Sequence, residues 1–314
     1  MKRRIMRWVK RIAIGVAVFC LLLILFAHRW FAVTRPGGSS TLVVEGWLYA
    51  GGCDTIAAWY RRGAYDQFLT TGTMRPFTYS LHHGDTLVVR FEEPVSGQAT
   101  LRIDGLPEAW ALITTGTDSI AREPASDAVH FTLRTCLELR IIASSANPPP
   151  DDQAVIFAGH LTIGGINAHA TADAISIRRR SGIEDEGWPS FAHEARHCLI
   201  AAGIPRERIA PVPATTGPGG RTWSNALAVA AFAQENGIDR FDVATMGVHA
   251  RRTWRTYRKA LKQDDGIGIR SIHDPWCARG RWWLNPFGWI LVLKEVVAIP
   301  APSLLHDEEE PMKR

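Results

Sequence analysis

A mixed α/β fold is predicted by three features of this 314-residue sequence. Apolar strand-like runs alternate with helix-like runs near the amino end, over 41–77, and again from Trp188 onward. Such alternation specifies a parallel sheet covered by helices, because parallel neighbours need a crossover long enough to be a helix. Between these stretches, from Thr78 to about Ala170, the pattern changes to short period-two runs separated by turn residues, which specifies antiparallel strands with one buried face. The third feature is a continuous apolar run, Ile12 to Ala27, behind a basic amino end. Together they predict a transmembrane helix, then a Rossmann-like parallel sheet with an antiparallel β-sandwich spliced in after its second strand.

At the amino end, Lys2, Arg3, Arg4, Arg7, Lys10 and Arg11 precede the apolar run, and Trp30-Phe31-Ala32-Val33 extends it beyond His28-Arg29. As a helix the uninterrupted run rises about 24 Å, a little short of a ~30 Å hydrocarbon core, so Trp8 and Trp30 help to complete the span. No small-residue cleavage site follows, which favours a retained single-pass anchor over a removed signal peptide. The basic end belongs in the cytoplasm, and everything after Arg35 is then extracytoplasmic, on the periplasmic side of an inner membrane. A net charge of only +5, with basic residues gathered at the amino end, points to a membrane surface rather than to nucleic acid. An apolar fraction of 46% excludes a disordered chain.

The expected segments are an anchor over 1–34, the first part of the α/β domain over 35–77, the inserted sandwich over 78–170, the remainder of the α/β domain over 171–300 and an acidic tail over 301–314. The five cysteines contain no Cys-x-x-Cys pair and are read as free, mostly buried thiols. Cys53, Cys136, Cys198 and Cys277 keep the option of pairing in an oxidising compartment.

Past the spacer Arg35 to Ser40, Thr41 to Leu48 reads as a buried parallel strand ending in Glu45-Gly46, a carboxylate and a glycine that lets a ligand approach the backbone. A salt bridge to a neighbouring loop is the alternative for Glu45. Asp54 is expected to cap a helix running to about Tyr65, with Ile56, Ala57, Tyr60 and Ala64 facing inward. Gln67 to Thr73 is the second strand, and Thr71-Gly72 brings a hydroxyl and a glycine turn to the same edge. Strands of the insertion are expected over 86–91, 99–104, 128–133, 137–143 and 154–163.

Helical character returns with Pro189 to Ala202, capped by Gly203 and followed by Pro205. A third strand is expected over 207–214, a glycine-rich loop over 215–220, a helix over 222–236, a strand over 241–248, a basic helix over 250–261 and a last strand over 266–272. The aromatic, apolar stretch Pro286 to Val297 is either core packed on the sheet or an interfacial helix on the bilayer; Lys294 and Glu295, forming one polar side, favour core.

Two motifs fall at one edge of this sheet: Arg221-Thr-Trp-Ser-Asn-Ala226 and Gly247-Val-His-Ala-Arg-Arg-Thr253. Ligands of open α/β sheets bind outside the carboxyl ends of the strands. Thr222, Asn225, His249, Arg251 and Arg252 suit an anion there, with the helix amino terminus after Val248 adding backbone donors. Adjacent helix positions point about 100° apart, so one of the two arginines faces inward.

Val43-Val44-Glu45-Gly46, Thr71-Gly72, Glu194, Ala202-Gly203-Ile204-Pro205, Thr222-x-x-Asn225-Ala226 and Gly247-Val-His249-Ala-Arg-Arg252 resemble the YdcF/SanA/ElyC family of α/β domains. The resemblance covers Thr41 to about Thr78 and Trp188 to about Ile272, and the large insertion departs from the short members. It implies cell-envelope biogenesis involving peptidoglycan or its polyprenyl-phosphate carrier; one branch of the family is linked to S-adenosylmethionine. It also implies that Glu45, Thr71, Gly72, Glu194, Thr222, Asn225, His249 and Arg252 line the site, with Arg252 as the inward arginine and Arg251 on the surface. Gly46 joins them at the end of the first strand, and if the site is catalytic, Glu45 or His249 is its general base. No cofactor follows from it.

Two further patterns compete. His193-Glu194-Ala-Arg-His197 fits the helical zinc motif His-Glu-x-x-His, but no third histidine follows and the helix is cut short by Gly203-Ile-Pro205. The insertion resembles calcium-dependent carbohydrate-binding sandwiches through Leu137 to Ile142, Asp151-Asp152 and Val155 to Gly165. A non-catalytic, glycan-binding scaffold is therefore the alternative to an enzyme.

Overall fold

The computed structural model describes residues 2–116, 118–124, 128–149, 153–263 and 265–298, with the side chains of 2–7, 9 and 121–123 left aside. It is a mixed α/β structure with one parallel sheet, one antiparallel sheet and an apolar amino-terminal helix. The chain forms two compact units, one from the residues up to Thr73 together with those from Ala192 onward, the other from Met74 to Phe191. The expected acidic tail and the acidic pair Asp151-Asp152 lie outside the described residues.

Helix α1 spans Lys2–Phe31. Its part Lys10–Phe31, 22 residues, is long and apolar enough to cross a membrane, about 33 Å at 1.5 Å per residue. Ile12, Ile14, Val16, Phe19, Leu22 and Leu25 are exposed along it. Strand β1 follows at Thr41–Glu45, then α2 at Ala50–Arg61 and β2 at Gln67–Thr73. Asp54 is not the cap of α2: the helix begins earlier, at Ala50 with Tyr49 in the cap position, and buries Gly52, Cys53, Ile56 and Ala57. It ends before Gly63, whose φ of +67° turns the chain, so Ala64 is exposed instead of facing inward.

The second unit contains β3 (Thr78–Leu81), β4 (Thr86–Gly105), β5 (Ala109–Thr115), β6 (Asp118–Pro124), β7 (Ala128–Ser145), β8 (Ile156–Ile163), β9 (Ile166–Asn167), β10 (Ala174–Arg178) and β11 (Glu184–Glu186). All pair antiparallel in one hydrogen-bonded sheet. The expected runs 86–91 and 99–104 are two halves of β4, and 128–133 and 137–143 two halves of β7. Register shifts between Arg90 and Gly97 interrupt the pairing of these long strands; extra residues of this kind bend a strand. Residues from both halves, such as Leu87, Val89, Leu101, Ile103, Phe131 and Ile141, share one core. β10 pairs with β4 and β11 with β10, so residues beyond Ala170 belong to this unit.

The first unit resumes with α3 (Phe191–Ala201), β12 (Ile209–Ala214), α4 (Gly220–Glu235), β13 (Phe241–Met246), α5 (Ala250–Leu261), β14 (Ile267–Ile272) and α6 (Pro286–Ala298). Its five strands are all parallel, in the order β12-β2-β1-β13-β14. Period-two alternation splits their side chains between two helical layers. Leu42, Val44, Phe68 and Ala244 pack with Cys53, Ile56 and Leu199 of α2 and α3. Val43, Leu69, Val212 and Val243 pack with Val229 of α4 and Tyr257 of α5. Each fully buried side chain of this size contributes roughly 1.5–3 kcal/mol, so truncating Val43 at the centre would loosen the whole α4/α5 layer.

Two expectations are overturned. Cys53 and Cys198 form a disulfide that ties α2 to α3 across a sequence separation of 145, with Cα atoms 6.2 Å apart; spacing in sequence carried no sign of it. Cys136 and Cys277 are buried thiols and Cys20 is half-buried. In α6 the expected polar side does not exist: Lys294 is exposed, but Glu295 is fully buried and Phe287, Ile290 and Val297 are exposed.

Candidate functional site

The site lies at the carboxyl end of the parallel sheet, on its α4/α5 face. Register places Thr71 of β2, Glu45 of β1 and Thr245 of β13 side by side: Glu45 pairs with Thr71, and Val44 with Ala244 one step earlier. Each stands two residues beyond a core residue of that face, namely Leu69, Val43 and Val243. The alternation that buries those apolar side chains therefore aims the polar three at the same layer.

Glu45 is completely buried. Its Oε2 accepts from Thr245 Oγ1 at 2.5 Å, Trp47 Nε1 at 3.2 Å and Thr253 Oγ1 at 3.5 Å. The salt-bridge alternative is thus replaced by a hydroxyl and indole cradle. Burial raises the carboxyl's pKa, against the opposing pull of Thr245, His249, Arg252 and Trp47. Its other oxygen, Oε1, has no hydrogen-bond partner among the described residues. Thr71 Oγ1, Asn225 Oδ1 and Tyr257 OH are likewise buried and unpartnered. All four belong to the strands and helices of one face.

The second half of the site is built by α5 and α6. Arg252 faces inward: its Nε donates to Glu295 Oε2 at 2.9 Å and its Nη2 to Glu295 Oε1 at 3.1 Å, while Nη1 reaches Thr222 Oγ1 at 3.5 Å. Glu295 Oε1 also contacts His249 Nδ1, which lies 2.7 Å from Arg252 Nη2. Nδ1 thus meets both a carboxylate, which accepts, and a guanidinium, which donates. The His249 ring meets Trp47 edge-on at 4.9 Å. Burial alone would raise the Glu295 carboxyl, but hydrogen bonds from His249 and Arg252 outweigh it and hold it below its ordinary value. Arg251 points away from this cluster, yet not into open solvent: its Nε donates to Trp30 O at 2.5 Å and its guanidinium sits 4.1 Å from the Trp30 ring centroid.

Thr222 and Asn225 occupy the first turns of α4, which opens on two successive glycines, Gly219 at its cap and Gly220 as its first residue, with φ of +90° and +82°. Only glycine takes this conformation without strain, so the pair turns the chain from β12 into the helix. Gly46 N donates to Thr71 O at 2.6 Å, extending the β1–β2 pairing to the edge. Gly72 does not form a turn; β2 runs on to Thr73 and Gly72 pairs with Pro213. Glu194 is half-buried in the first turn of α3, whose Leu199 packs in the opposite, α2-facing layer. His193 is half-buried and His197 exposed. Among the described residues no three His, Cys, Asp or Glu side chains gather as a metal-ligand set.

Sequence reasoning missed Glu295, Trp47, Thr245 and Thr253. Trp47, two residues beyond Glu45, and Thr253, at the end of the Gly247–Thr253 motif, carried local signals. Glu295 had none, because its partner Arg252 lies 43 residues earlier.

No family model matches the chain, and no curated protein matches it. Among solved structures it is similar, at 12% identity and a TM-score of 0.17, to DesR, a β-glucosidase from Streptomyces venezuelae in complex with D-glucose; the match covers 78% of this chain and 27% of that one.

Proposed function

We propose that this chain is a single-pass membrane protein of the YdcF/SanA/ElyC type whose parallel-sheet unit binds, and acts by acid–base chemistry on, a phosphate-containing or sugar-linked ligand of the cell envelope. The observation that carries this reading is the set of four buried, unpartnered polar atoms, Glu45 Oε1, Thr71 Oγ1, Asn225 Oδ1 and Tyr257 OH, carried by the β1 and β2 strands and the α4 and α5 helices that cover one face of the sheet. Buried polar groups are nearly always hydrogen-bonded, and each left unmade costs about 1–3 kcal/mol. A polar ligand recovers that cost.

The strand order supports a Rossmann-like reading. Connections run outward from β1 to β2 and β12 on one side and from β13 to β14 on the other, so the direction reverses between β1 and β13. Ligands bind at such reversals, and the Glu45–Thr245 hydrogen bond spans this one. The remaining donors of Arg252 Nη1, with Thr222, suit a phosphate oxygen. Glu45 Oε1 takes a proton from a ligand hydroxyl or a water, and the raised pKa brings its basicity closer to neutral pH. We read the Met74–Phe191 unit as a sandwich folded at the β4/β7 irregularities. The Cys53–Cys198 disulfide supports a periplasmic location for the folded part, since such bonds persist in oxidising compartments.

A thermal-shift series on the full chain in detergent tests the reading with a short-chain polyprenyl phosphate, a nucleotide-sugar, S-adenosylmethionine, and glycans with calcium. Stabilisation by the phosphate or sugar-linked ligands, lost in His249→Ala, is expected. A response confined to glycan with calcium would move the function to the inserted unit.

A further inference from the structure

Helix α6 is polarised against the usual order for a water-soluble helix. Its inward side carries Gly288, Val292 and the fully buried Glu295. Its outward side carries Phe287, Ile290, Leu293 and Val297, 61%, 59%, 41% and 69% exposed, and Lys294 is its one exposed charge. Leu284, 76% exposed, and Trp276, whose ring lies 5.8 Å from that of Phe287, add to the apolar side. Contiguous exposed apolar patches mark interaction surfaces.

What covers this face is indicated by its neighbour. Leu23, Ile24, Ala27 and Phe31, at the carboxyl end of α1, share a cluster with Trp289, Leu291, Val292 and Val296 of α6. His28 Nε2 meets Cys277 O at 3.1 Å, tying the same end of α1 to the segment before α6. Helix α6 thus packs, by its other side, on the end of the only helix among the described residues that is long and apolar enough to span a bilayer. Lys294 on α6 is exposed, as are Arg279 and Arg281 in the segment just before it, and cations near a bilayer surface attract anionic headgroups. At 13 residues α6 is too short to span.

We infer that the outward face of α6 lies in the headgroup–acyl boundary of the same bilayer that α1 crosses, so that the protein meets its membrane at two places. This rests on the anchor reading of α1. Its consequence is positional: Glu295, which holds Arg252 and His249, sits on the far side of α6, about one helix diameter, ~10 Å, from lipid.

The test uses the full chain in nanodiscs of zwitterionic and anionic lipid, with p-benzoylphenylalanine placed singly at Phe287, Ile290, Leu22 in α1, or the exposed Gln234 on α4. Each variant is first checked for an unfolding temperature like that of the parent. After irradiation, mass spectrometry is expected to show lipid adducts at Phe287 and Ile290 with yields like that at Leu22 and well above that at Gln234. Lipid adducts at Leu22 but not at Phe287 or Ile290 would overturn the inference and leave the anchor standing. Adducts from 287 and 290 to a second copy, or to residues 299–314, would overturn it in favour of a protein occupant. Absence of lipid at all three positions would overturn both the inference and the anchor reading.

Discussion

Arg252 and Glu295 form a two-point pair, 2.9 Å at Nε and 3.1 Å at Nη2, that joins α5 to α6 beneath His249. Glu295 is fully buried, whereas the Arg252 side chain keeps 21% exposure. The arginine that faces the site is therefore already half-neutralised. Its role is to fix His249 and Thr222 as much as to meet an anion.

Removing Glu295 leaves a partly buried guanidinium without its carboxylate. We expect Glu295→Gln to destabilise the fold at the lower end of the roughly 3–5 kcal/mol typical of a broken buried pair, because Arg252 regains some solvent. The folded-state pKa of Glu295 is depressed, so its contribution is present above the unfolded carboxyl value and lost as pH falls through the lower, folded value. Urea unfolding at a series of pH values below 5 measures this: the parent loses stability with acid and the variant shows a smaller loss.

Glu45 behaves with the opposite sign. Its pKa is raised in the folded state, so the folded chain holds that proton more tightly, and stability falls as pH rises through the raised value. Glu45→Gln removes the charge and keeps the shape, and is expected to be neutral or stabilising from pH 7 upward. The same substitution abolishes any turnover that uses Glu45 as base. A variant that is both more stable and inactive separates a functional acid from a structural one, and denaturant midpoints at pH 6 and 8 read the first half of that result.

Loss of the Cys53–Cys198 bond frees α2 from α3. Replacing both cysteines by serine is expected to cost about 2–4 kcal/mol, and mild reductant should lower the unfolding temperature of the parent but not of the double variant. Differential scanning calorimetry with and without reductant checks this.

Gly268 faces the buried Asp242. A Cβ there would fall inside contact distance of Asp242 Oδ1 and of the Gly37 backbone nitrogen. Asp242 accepts from Tyr65 OH at 2.5 Å and from Gly37 N at 2.6 Å, tying the spacer after α1 to β13. Gly268→Ala is expected to destabilise by roughly 1–3 kcal/mol, the usual cost of overpacking, as read by a chemical unfolding midpoint.

Much of the parallel sheet was legible because its signals are local. Strand runs ending at Glu45, Thr73, Ala214 and Ile272, the Gly203 cap and the basic helix Ala250–Leu261 all stand out from nearest neighbours in sequence. Elements that depend on distant partners did not. The expected short strands 86–91 and 99–104 are one strand because β7 pairs with both halves and β8 with the second, a tertiary fact invisible in a turn-like Glu-Glu-Pro. β10 is short and β11 is acidic throughout, Glu184-Asp185-Glu186, so their membership in the second unit shows only through the pairing of β10 with β4 and of β11 with β10. In the site, Glu45, His249 and Arg252 were visible as motif residues. Glu295 was hidden because it looked like the wet side of an amphipathic helix, when the apolar side is the one turned outward.

The proposed role of the buried, unpartnered polar atoms on the Glu45 face is to bind a ligand. Thr71→Val tests it most directly, since the swap keeps the shape and deletes one buried, unpartnered hydroxyl. Unfolding temperatures of parent and variant would be measured without ligand and with a short-chain polyprenyl phosphate or a nucleotide-sugar. The account predicts that the variant alone is as stable as the parent or more so, and that its ligand-induced shift shrinks by an affinity loss of about tenfold, the value of one hydrogen bond to a charged group. An unchanged shift in the variant, with no ligand distinguishing the two proteins, would contradict it.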